Sequence, residues 1–463
     1  MSQIDAVLGA IDQGLEASIA RWMELLRIPS VSTDPGHKSD CRRAAQWLVD
    51  ELSGIGFTAR LHNTAGQPMV TAHSGPADAQ APRVLFYGHY DVQPADPLDK
   101  WSTPPFDPVR RKDSDGVERI YARGAADDKG QLLTFVEAAR AGVKVNGRLP
   151  VEATVLFEGE EESGSPSLAP FLNDNREMLT CDVALVCDTN MWDAATPAIT
   201  TRLRGLVHDE VTIIGPSIDL HSGHYGGAAW NPIRILTRVL AGLHDEGGRV
   251  TIPGFYDGVE DLPAAIAGQW SKLDFSEQVF LGEVGLEEPA GEAGRSVLEQ
   301  IWARPTAEVN GIFGGYTGPG TKTVIPSRAT AKITFRLVGA QDPAKIRARF
   351  RDFVQARLPK GIKAEFGSAG GASPAIEIAE DSVFLVKAAA ALAAEFGRPP
   401  VLMGAGGSIP VVRSFKDLLG MDSLLIGFSL NDDAIHSPNE KYNLSSFHRG
   451  IRSWARILAE LPR

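Results

Sequence analysis

Four short apolar runs that alternate with helical stretches place the strongest restriction on how this chain can fold. The runs are VLFYG from Val84, VEATVLFEG from Val151, DVALVCD from Asp182 and SLLIGF from Ser423. Each run is rich in Val, Leu or Ile and is bounded by Gly, Pro or Asp, which is typical of buried strands in an α/β sheet. Ligands of such sheets gather beyond the carboxyl ends of the strands, and polar residues follow every run here. We therefore expect an α/β fold with a functional site at one edge of its sheet.

Amphipathic helices are predicted before and between these strands. Apolar residues recur at intervals of three and four from Ile4 to Leu26, and a second helix is predicted from Asp40 to about Ile55. Asn231 and Pro232 form a cap and first-turn pair for another helix, and a further one runs from Asp342 towards Leu358.

The middle of the chain has a different pattern. The run RATAKITFRLV from Arg328 alternates strictly, which predicts a strand with one buried and one exposed face. We therefore predict an inserted α+β domain at residues 201–375, between the two parts of a first domain at residues 1–200 and 376–463. Residues 247–308 are rich in Gly, Pro and acidic side chains, and we leave them unassigned between loop and short helix.

Composition narrows the class of function. The 463 residues are 43% hydrophobic and carry a net charge of −12, which argues against binding the phosphate backbone of nucleic acids. No apolar run is long enough to span a membrane, and acidic side chains among the first 22 residues do not suit a secretory signal. Three cysteines form no CxxC pair and indicate buried thiols in a reducing compartment: Cys41, Cys181 and Cys187. We expect a cytoplasmic protein.

The first polar residues that follow a strand are His89 and Asp91. They lie two positions apart, so an extended backbone directs both side chains to one face. This suits a metal-bound imidazole and a carboxylate that orients it, although a surface hydrogen-bonded pair has the same spacing. Asp127 and Asp128 precede a predicted helix, where helix capping is an alternative to metal binding.

The second apolar run ends in an acidic cluster. Four glutamates fall within five positions: Glu158, Glu160, Glu161 and Glu162. Clustered carboxylates raise each other's pKa unless a cation compensates, whereas a solvated loop is the alternative for an isolated acidic run. Asp188 and His436 follow the two remaining runs. Together these oxygen-rich residues and two imidazoles suit two zinc ions, or manganese or cobalt, that share a bridging carboxylate.

The charges of this set are consistent with two metal ions. Two divalent ions bring four positive charges, and Asp127, Glu162 and Asp188 bring three negative ones, which leaves one for a bridging hydroxide. Metal-assisted hydrolysis also needs an unbound carboxylate that takes a proton from water and passes it to the leaving amine, and Glu161 fits that role.

The chain resembles the co-catalytic zinc metallopeptidases, which include cytosolic dipeptidases and carnosinases, glutamate carboxypeptidase, aminoacylase and succinyl-diaminopimelate desuccinylase. The motifs GHYDVQPAD, RGAADDKG, EGEEESGS, DLHSGHYGG, KTVIPSRATAKITFRLV, GGSIPV and HSPNEKYN occur in the family's order between Val84 and Asn443. The resemblance is strongest to the dipeptidase branch. It implies a zinc-exopeptidase-like catalytic domain with a mixed central sheet flanked by helices, and an inserted α+β lid and dimerisation domain.

The resemblance also implies a metal centre. His89, Asp127 and Asp188 would hold one ion, and Asp127 would bridge to a second ion held by Glu162 and His436. Two divalent ions, most simply zinc, are therefore the expected cofactors.

Other positions acquire roles in the same way. Asp91 would orient His89, Glu161 would be the general base, and a cis peptide would join Asp127 to Asp128.

The inserted domain would supply substrate contacts as well as a homodimer interface. The resemblance implies that His221 reaches the partner's active site and stabilises the oxyanion, and that Arg336 pairs with the free carboxylate of the substrate. Ser408 and Gly407 would line the substrate pocket.

The expected activity is hydrolysis of the amide bond of dipeptides or short peptides with a free carboxylate. Dipeptidases of the family have a glutamate before the GGS motif where this chain has Ala405, and Ala122 stands where a glycine is usual. Ala405 favours the alternative of an N-acyl-amino-acid amidohydrolase.

A non-catalytic metal-binding or scaffold protein would be expected to lack ligands or the base. GYTGPGTKT lacks the ending of a phosphate loop, and no GxSxG elbow of a serine hydrolase is present.

Overall fold

The computed structural model describes residues 3–367, 371–407 and 409–462. The strands are β1 (Thr58–His62), β2 (Met69–His73), β3 (Arg83–His89), β4 (Val109–Lys112), β5 (Glu118–Tyr121), β6 (Glu152–Glu158), β7 (Val183–Val186), β8 (Ala198–Leu203), β9 (Gly205–Ile214), β10 (Leu220–His221), β11 (Thr306–Gly314), β12 (Val324–Ile325), β13 (Arg328–Leu337), β14 (Lys363–Phe366), β15 (Ala372–Ser373), β16 (Ile376–Glu377), β17 (Val401–Ala405), β18 (Ser423–Leu425) and β19 (Lys441–Asn443). The helices are α1 (Gln3–Leu26), α2 (Lys38–Gly54), α3 (Lys129–Asn146), α4 (Leu168–Asp174), α5 (Arg176–Leu179), α6 (Ser222–Tyr225), α7 (Pro232–Ala241), α8 (Ala264–Trp270), α9 (Glu277–Gly282), α10 (Val297–Trp302), α11 (Pro343–Gln355), α12 (Val383–Phe396), α13 (Pro410–Ser414) and α14 (Leu444–Glu460).

The chain divides into two compact units. The first comprises Met1–Thr201, Ile378–Met403 and Pro410–Arg463, and the second comprises Arg202–Glu377 and Gly404–Ile409. The roles of the predicted inserted domain as lid and dimerisation surface stay predictions.

The first unit is built on a mixed sheet. Its strands include, in order, β1, β2, β6, β3, β7, β18 and β8, and β17 also pairs with β8. The pairs β6/β3, β3/β7 and β7/β18 are parallel, whereas β1/β2, β2/β6 and β18/β8 are antiparallel. A smaller antiparallel sheet contains β19, β5 and β4. The predicted α/β class with a mixed central sheet is confirmed, and the four apolar runs contribute β3, β6, β7 and β18.

Helices α1, α3 and α14 pack against one another and bury an aromatic core. The Phe86 ring of β3 stacks on Phe135 of α3 at a centroid distance of 3.9 Å and meets Trp454 of α14 edge-on at 5.4 Å. The buried ammonium of Lys129 donates hydrogen bonds to the main-chain oxygens of Leu25 and Ile28, where α1 ends. These contacts fix the start of α3, which directly follows Asp127 and Asp128.

The second unit packs helices α7 and α11 against an antiparallel sheet. The sheet order is β11, β13, β9 and β14, and β15 also pairs with β9. Asn231 Oδ1 caps α7 by accepting a hydrogen bond from Ile233 N at 2.9 Å, as predicted. Phe335 of β13 is buried against Phe350 of α11, which confirms the predicted core face of the alternating strand.

Several short helices lie in the part of the chain that the sequence left unassigned. Residues 247–308 contain α8, α9 and α10, and β11 begins near its end. None of the described helices is long and apolar enough to cross a membrane.

Candidate metal centre and substrate-binding residues

The metal-binding candidates of the first unit meet at one edge of its sheet. Strands β3, β6 and β7 are parallel, so their carboxyl ends lie together, and His89 is in register with Glu158. Asp188 follows the end of β7 by two residues, and a short 3₁₀ helix at Glu161–Ser163 follows β6. The prediction that polar residues after the strands gather at one edge of the sheet therefore holds for the residues that directly follow the parallel strands.

Asp127 is the central residue of the cluster, because its two carboxylate oxygens face different groups. Oδ1 lies 3.1 Å from His89 Nε2, which is also 3.9 Å from Asp188 Oδ2. Oδ2 lies 2.9 Å from His436 Nε2, which is 3.3 Å from Glu162 Oε1. The five predicted ligands thus form two triads that share Asp127.

These separations fit divalent metal ions. Two ligands of a tetrahedral zinc ion, each about 2.1 Å from the metal, lie about 3.4 Å apart. The separations of 2.9–3.9 Å between these side-chain atoms bracket that value. Potential ligand atoms within each triad all lie within 4.8 Å of one another. The residues present could therefore hold two ions with Asp127 between them.

His89 is oriented by Asp91. Its Nδ1 lies 3.1 Å from the main-chain oxygen of Asp91 and 3.4 Å from the carboxylate Oδ1, so Nε2 is directed at the cluster. The Asp91 carboxylate also accepts hydrogen bonds from Glu161 N and Glu162 N at 3.3 and 3.1 Å. Because His89 and Asp91 are 1% and 0% exposed, the alternative of a surface pair is wrong.

The electrostatics of the cluster favour added positive charge. Burial, together with the negative charges of Asp127, Glu161 and Glu162, raises the pKa of Asp188 well above its usual range. Hydrogen bonds to Asp127 and Glu162 raise the pKa of His436 to about 10. Without a metal ion, protons on the carboxylates and imidazoles offset the negative charge of the cluster. Divalent cations would supply this positive charge instead.

Glu161 lies beside the triads without belonging to either. Burial raises its pKa, and the charges of Glu162, Asp127 and Asp91 raise it further. A raised pKa brings a carboxylate closer to the range in which it can accept and release a proton near neutral pH. The alternative of a solvated acidic loop is wrong, because Glu158 and Glu160 are buried and Glu161 and Glu162 are partly buried.

Asp128 stabilises the backbone of His89. The peptide between Asp127 and Asp128 is cis, as predicted. Asp128 Oδ2 accepts a hydrogen bond from His89 N at 3.0 Å. Within the described part of the chain its side chain makes no cap hydrogen bond to α3, so the helix-capping alternative is wrong for this residue.

His436 is presented by a tightly folded loop before β19. Ala434, His436 and Asn439 have φ angles of 55°, 61° and 64°, which non-glycine residues adopt rarely. Asn439 Oδ1 accepts a hydrogen bond from Ser102 N at 2.7 Å, and Asn439 Nδ2 donates one to Lys100 O at 2.9 Å. Side-chain contacts therefore stabilise a backbone conformation that is unfavourable in isolation.

His221 and Arg336 belong to the second unit. His221 ends β10 and is exposed; its Nδ1 accepts a hydrogen bond from Gly223 N at 3.0 Å, and its ring stacks on His224 with centroids 4.5 Å apart. Arg336 is half-buried on β13 and lines a cavity of ≈ 420 Å³ together with Arg204.

Arg204 was not identified from the sequence. It donates hydrogen bonds to Gly406 O at 3.2 Å and Gln300 O at 3.3 Å, which ties the Gly404–Ile409 segment to the second unit. Burial and the positive charge of Arg336 lower the pKa of Arg204 to about 10. Two guanidinium groups near one cavity favour an anionic ligand such as a carboxylate. Gly407 lies in the same segment, whereas Ser408 lies outside the described residues.

Gln93 was also missed, although it belongs to the HYDVQP motif. Its Nε2 donates a 2.7 Å hydrogen bond to Glu162 Oε2, which directs Oε1 of Glu162 towards His436. No local pattern links residues 93 and 162, so the sequence offered no signal for this contact.

Comparisons with known proteins relate most of the chain to a family of peptidases. Residues 85–460 match the model of peptidase family M20/M25/M40. The chain is 32% identical to the Cys-Gly metallodipeptidase of Candida albicans over 94% of this chain and 92% of the relative. It is 30% identical to the human Beta-Ala-His dipeptidase over 95% of this chain and 85% of the relative. The solved structure of the Saccharomyces cerevisiae di-peptidase Dug1p is similar, with a TM-score of 0.76 and 28% identity over 100% and 99% of the two chains.

Proposed function

The chain belongs to peptidase family M20/M25/M40, and from that membership we propose that it is a dizinc dipeptidase. It is a metallopeptidase, and its relatives include dipeptidases named for Cys-Gly and Beta-Ala-His. The observation that carries the proposal is the position of Asp127, whose two oxygens face the His89/Asp188 and the His436/Glu162 groups.

Two divalent metal ions are the cofactors that this family and these triads imply. When bound, such ions polarise the scissile carbonyl and lower the pKa of water. We propose zinc, because imidazoles and carboxylates are its usual ligands and it needs only about four of them. Manganese or cobalt could substitute for it. His89, Asp127 and Asp188 would hold one ion, and Asp127, Glu162 and His436 the other.

Glu161 is the proposed general base. It would take a proton from the attacking water and deliver it to the leaving amine, which needs a carboxylate that both accepts and releases a proton. Asp91 would keep His89 in the tautomer that leaves Nε2 free for the metal, because Nδ1 donates towards Asp91.

The substrate contacts are proposed from the second unit. Arg336 would pair with the free carboxylate of the dipeptide through its planar guanidinium. His221 would donate a hydrogen bond to the oxyanion in the active site of a partner subunit. Gly407 and Ser408 would line the substrate pocket.

The same proposal includes a homodimer. β11 is an edge strand of the second unit, and it exposes Val309, Ile312 and Phe313 by 39%, 55% and 51%. An edge strand with exposed apolar side chains can pair with a second copy. We also propose a cytoplasmic location, which three free buried cysteines favour.

One residue favours a second candidate, an N-acyl-amino-acid amidohydrolase. Ala405 offers no carboxylate to a free substrate amino group, so an acylated substrate would lose no ion pair at this position. A non-catalytic scaffold is disfavoured, because it would not need the complete ligand set and the carboxylate of Glu161.

The test is amine release by zinc-loaded protein from Cys-Gly and β-Ala-His and from their N-acetylated counterparts, each with a chelator control. Chelator-sensitive cleavage of the free dipeptides supports the dipeptidase. Preference for the acetylated compounds moves the assignment to the amidohydrolase. Inactivity towards all four compounds would contradict both.

A further inference from the structure

Glu440 is a fully buried carboxylate that the proposed mechanism leaves without a role. Its Oε1 accepts hydrogen bonds from Ala126 N at 2.9 Å and Asp127 N at 3.1 Å. Its Oε2 accepts hydrogen bonds from Gly124 N at 2.8 Å and Arg123 Nη1 at 2.7 Å. One carboxylate therefore accepts hydrogen bonds from three main-chain N–H groups in the segment that ends at Asp127.

The main chain of Glu440 contacts the same segment. Its carbonyl oxygen accepts a hydrogen bond from Ala122 N at 3.1 Å, so Glu440 contacts residues 122–124 and 126–127, whereas Ala125 N donates to Ala122 O. Arg123 is 1% exposed, and its second nitrogen, Nη2, donates to Pro94 O at 3.3 Å. The arginine thus joins Glu440 to the loop that follows Asp91.

Glu440 also ends the loop that carries His436. That loop contains residues with left-handed backbone angles, and Glu440 stands directly before β19. The 2.9 Å approach of His436 Nε2 to Asp127 Oδ2 joins side chains from two loops, and Glu440 connects the backbones of both.

We propose that Glu440 is a positioning residue that fixes Asp127 relative to His436 and so sets the affinity of the second metal ion. This inference rests on the proposed roles of Asp127 and His436 as ligands. The hydrogen bond to Asp127 N fixes the residue whose carboxylate is shared by both triads. A carboxylate suits the position because it can accept from four donors, whereas an amide would turn an NH₂ group towards some of them.

The test is metal binding by full-length Glu440→Gln and by the parent. Both proteins are stripped with a chelator and titrated with cobalt(II) in the presence of a competing chelator, and stoichiometry, affinity and the cobalt absorption spectrum are recorded. We expect the affinity for one of the two ions to fall by about 10- to 100-fold, with a changed spectrum. Glu440→Asp, which keeps the charge but shortens the reach, should lose affinity in the same direction and carries the test if Glu440→Gln does not fold.

Glu137→Gln is the matched control. Glu137 is also a buried carboxylate that pairs with an arginine, Arg21, but it lies on α3 and belongs to neither triad. It should lower stability and leave cobalt affinity unchanged.

Thermal unfolding separates positioning from plain structural support. A bound ion raises Tm by an amount that depends on its affinity, so the gap between metal-loaded and chelated Tm should narrow in Glu440→Gln and stay constant in Glu137→Gln.

Parental cobalt affinity, or an unchanged gap between the two Tm values, in a folded Glu440 variant would overturn the positioning role alone. A parent that binds fewer than two ions would overturn it together with the dimetal proposal, whereas inactivity on dipeptides would affect only the proposed function.

Discussion

Gln93 donates a 2.7 Å hydrogen bond from Nε2 to Oε2 of Glu162, the carboxylate whose other oxygen faces His436. Gln93→Ala would free the Glu162 side chain to rotate and should weaken the binding of one metal ion by about tenfold, as loss of a hydrogen bond to a ligand does. Cobalt titration against a chelator measures this effect.

Gln46→Ala is the control for that substitution. Gln46 is an exposed glutamine on α2 that hydrogen-bonds to Asp50 at 2.9 Å, so its loss should leave metal affinity unchanged. Equal affinities in the parent and Gln93→Ala would show that Glu162 does not need this hydrogen bond.

Glu161→Gln should separate metal binding from turnover. The amide keeps the size of the side chain but cannot accept a proton, so kcat should fall by about 10²- to 10⁴-fold while both ions stay bound. Steady-state kinetics on Cys-Gly and metal analysis of the same samples test the prediction.

Glu152→Gln provides the comparison. Glu152 begins β6 and lies on the surface beside Arg83, so this variant should keep parental kinetics and metal content. Parental kcat in Glu161→Gln would exclude Glu161 as the base, and loss of metal there would make it a ligand instead.

The ligands of the metal centre were predictable because their residue types and their positions at strand ends are both local signals. His89 ends β3, and Asp188 follows β7 by two residues, so the parallel sheet alone brings them together. Asp127 follows β5 of the small sheet, so the strand-end argument does not position it. Its residue type and its position before a predicted helix made it a candidate, and the family resemblance supplied its bridging role.

Asp91 was predicted to orient His89, but other contacts around the site could not be predicted, because they join distant parts of the chain. Glu440 reaches Gly124, Ala126 and Asp127, and Arg204 reaches Gly406, through hydrogen bonds that only the tertiary fold creates. Helices α8, α9 and α10 lie in the segment that the sequence leaves unassigned between loop and short helix, for another reason. They have six or seven residues each, less than two full turns, so an apolar periodicity cannot develop.

His221→Ala tests the proposed contact with the oxyanion. The side chain is exposed and its contacts with Gly223 and His224 are local, so its removal should lower the unfolding temperature only slightly. If it stabilises developing charge, kcat should fall by about 10²- to 10³-fold with a smaller change in KM.

The neighbouring His224→Ala is the matched control. The two imidazoles stack at 4.5 Å, so a loss of activity from His224→Ala as large as that from His221→Ala would point to loop structure instead of catalysis. Unchanged kinetics in His221→Ala would exclude the oxyanion role.

Glu137 should make stability depend on pH in the acidic range. Burial opposes its charge, but the hydrogen bond from Arg21 and the charge of Arg140 outweigh burial, so its pKa lies below the usual 4.5. A lowered folded-state pKa means that the stabilisation is fully present above 4.5 and is lost as the pH falls through the folded-state value. At neutral pH, Glu137→Gln should cost about 1.5–3 kcal/mol, because Ser18 and Arg21 lose a charged acceptor. Urea unfolding of chelated parent and variant should show this difference shrinking below pH 4.5, and a difference that stays constant there would contradict the lowered pKa.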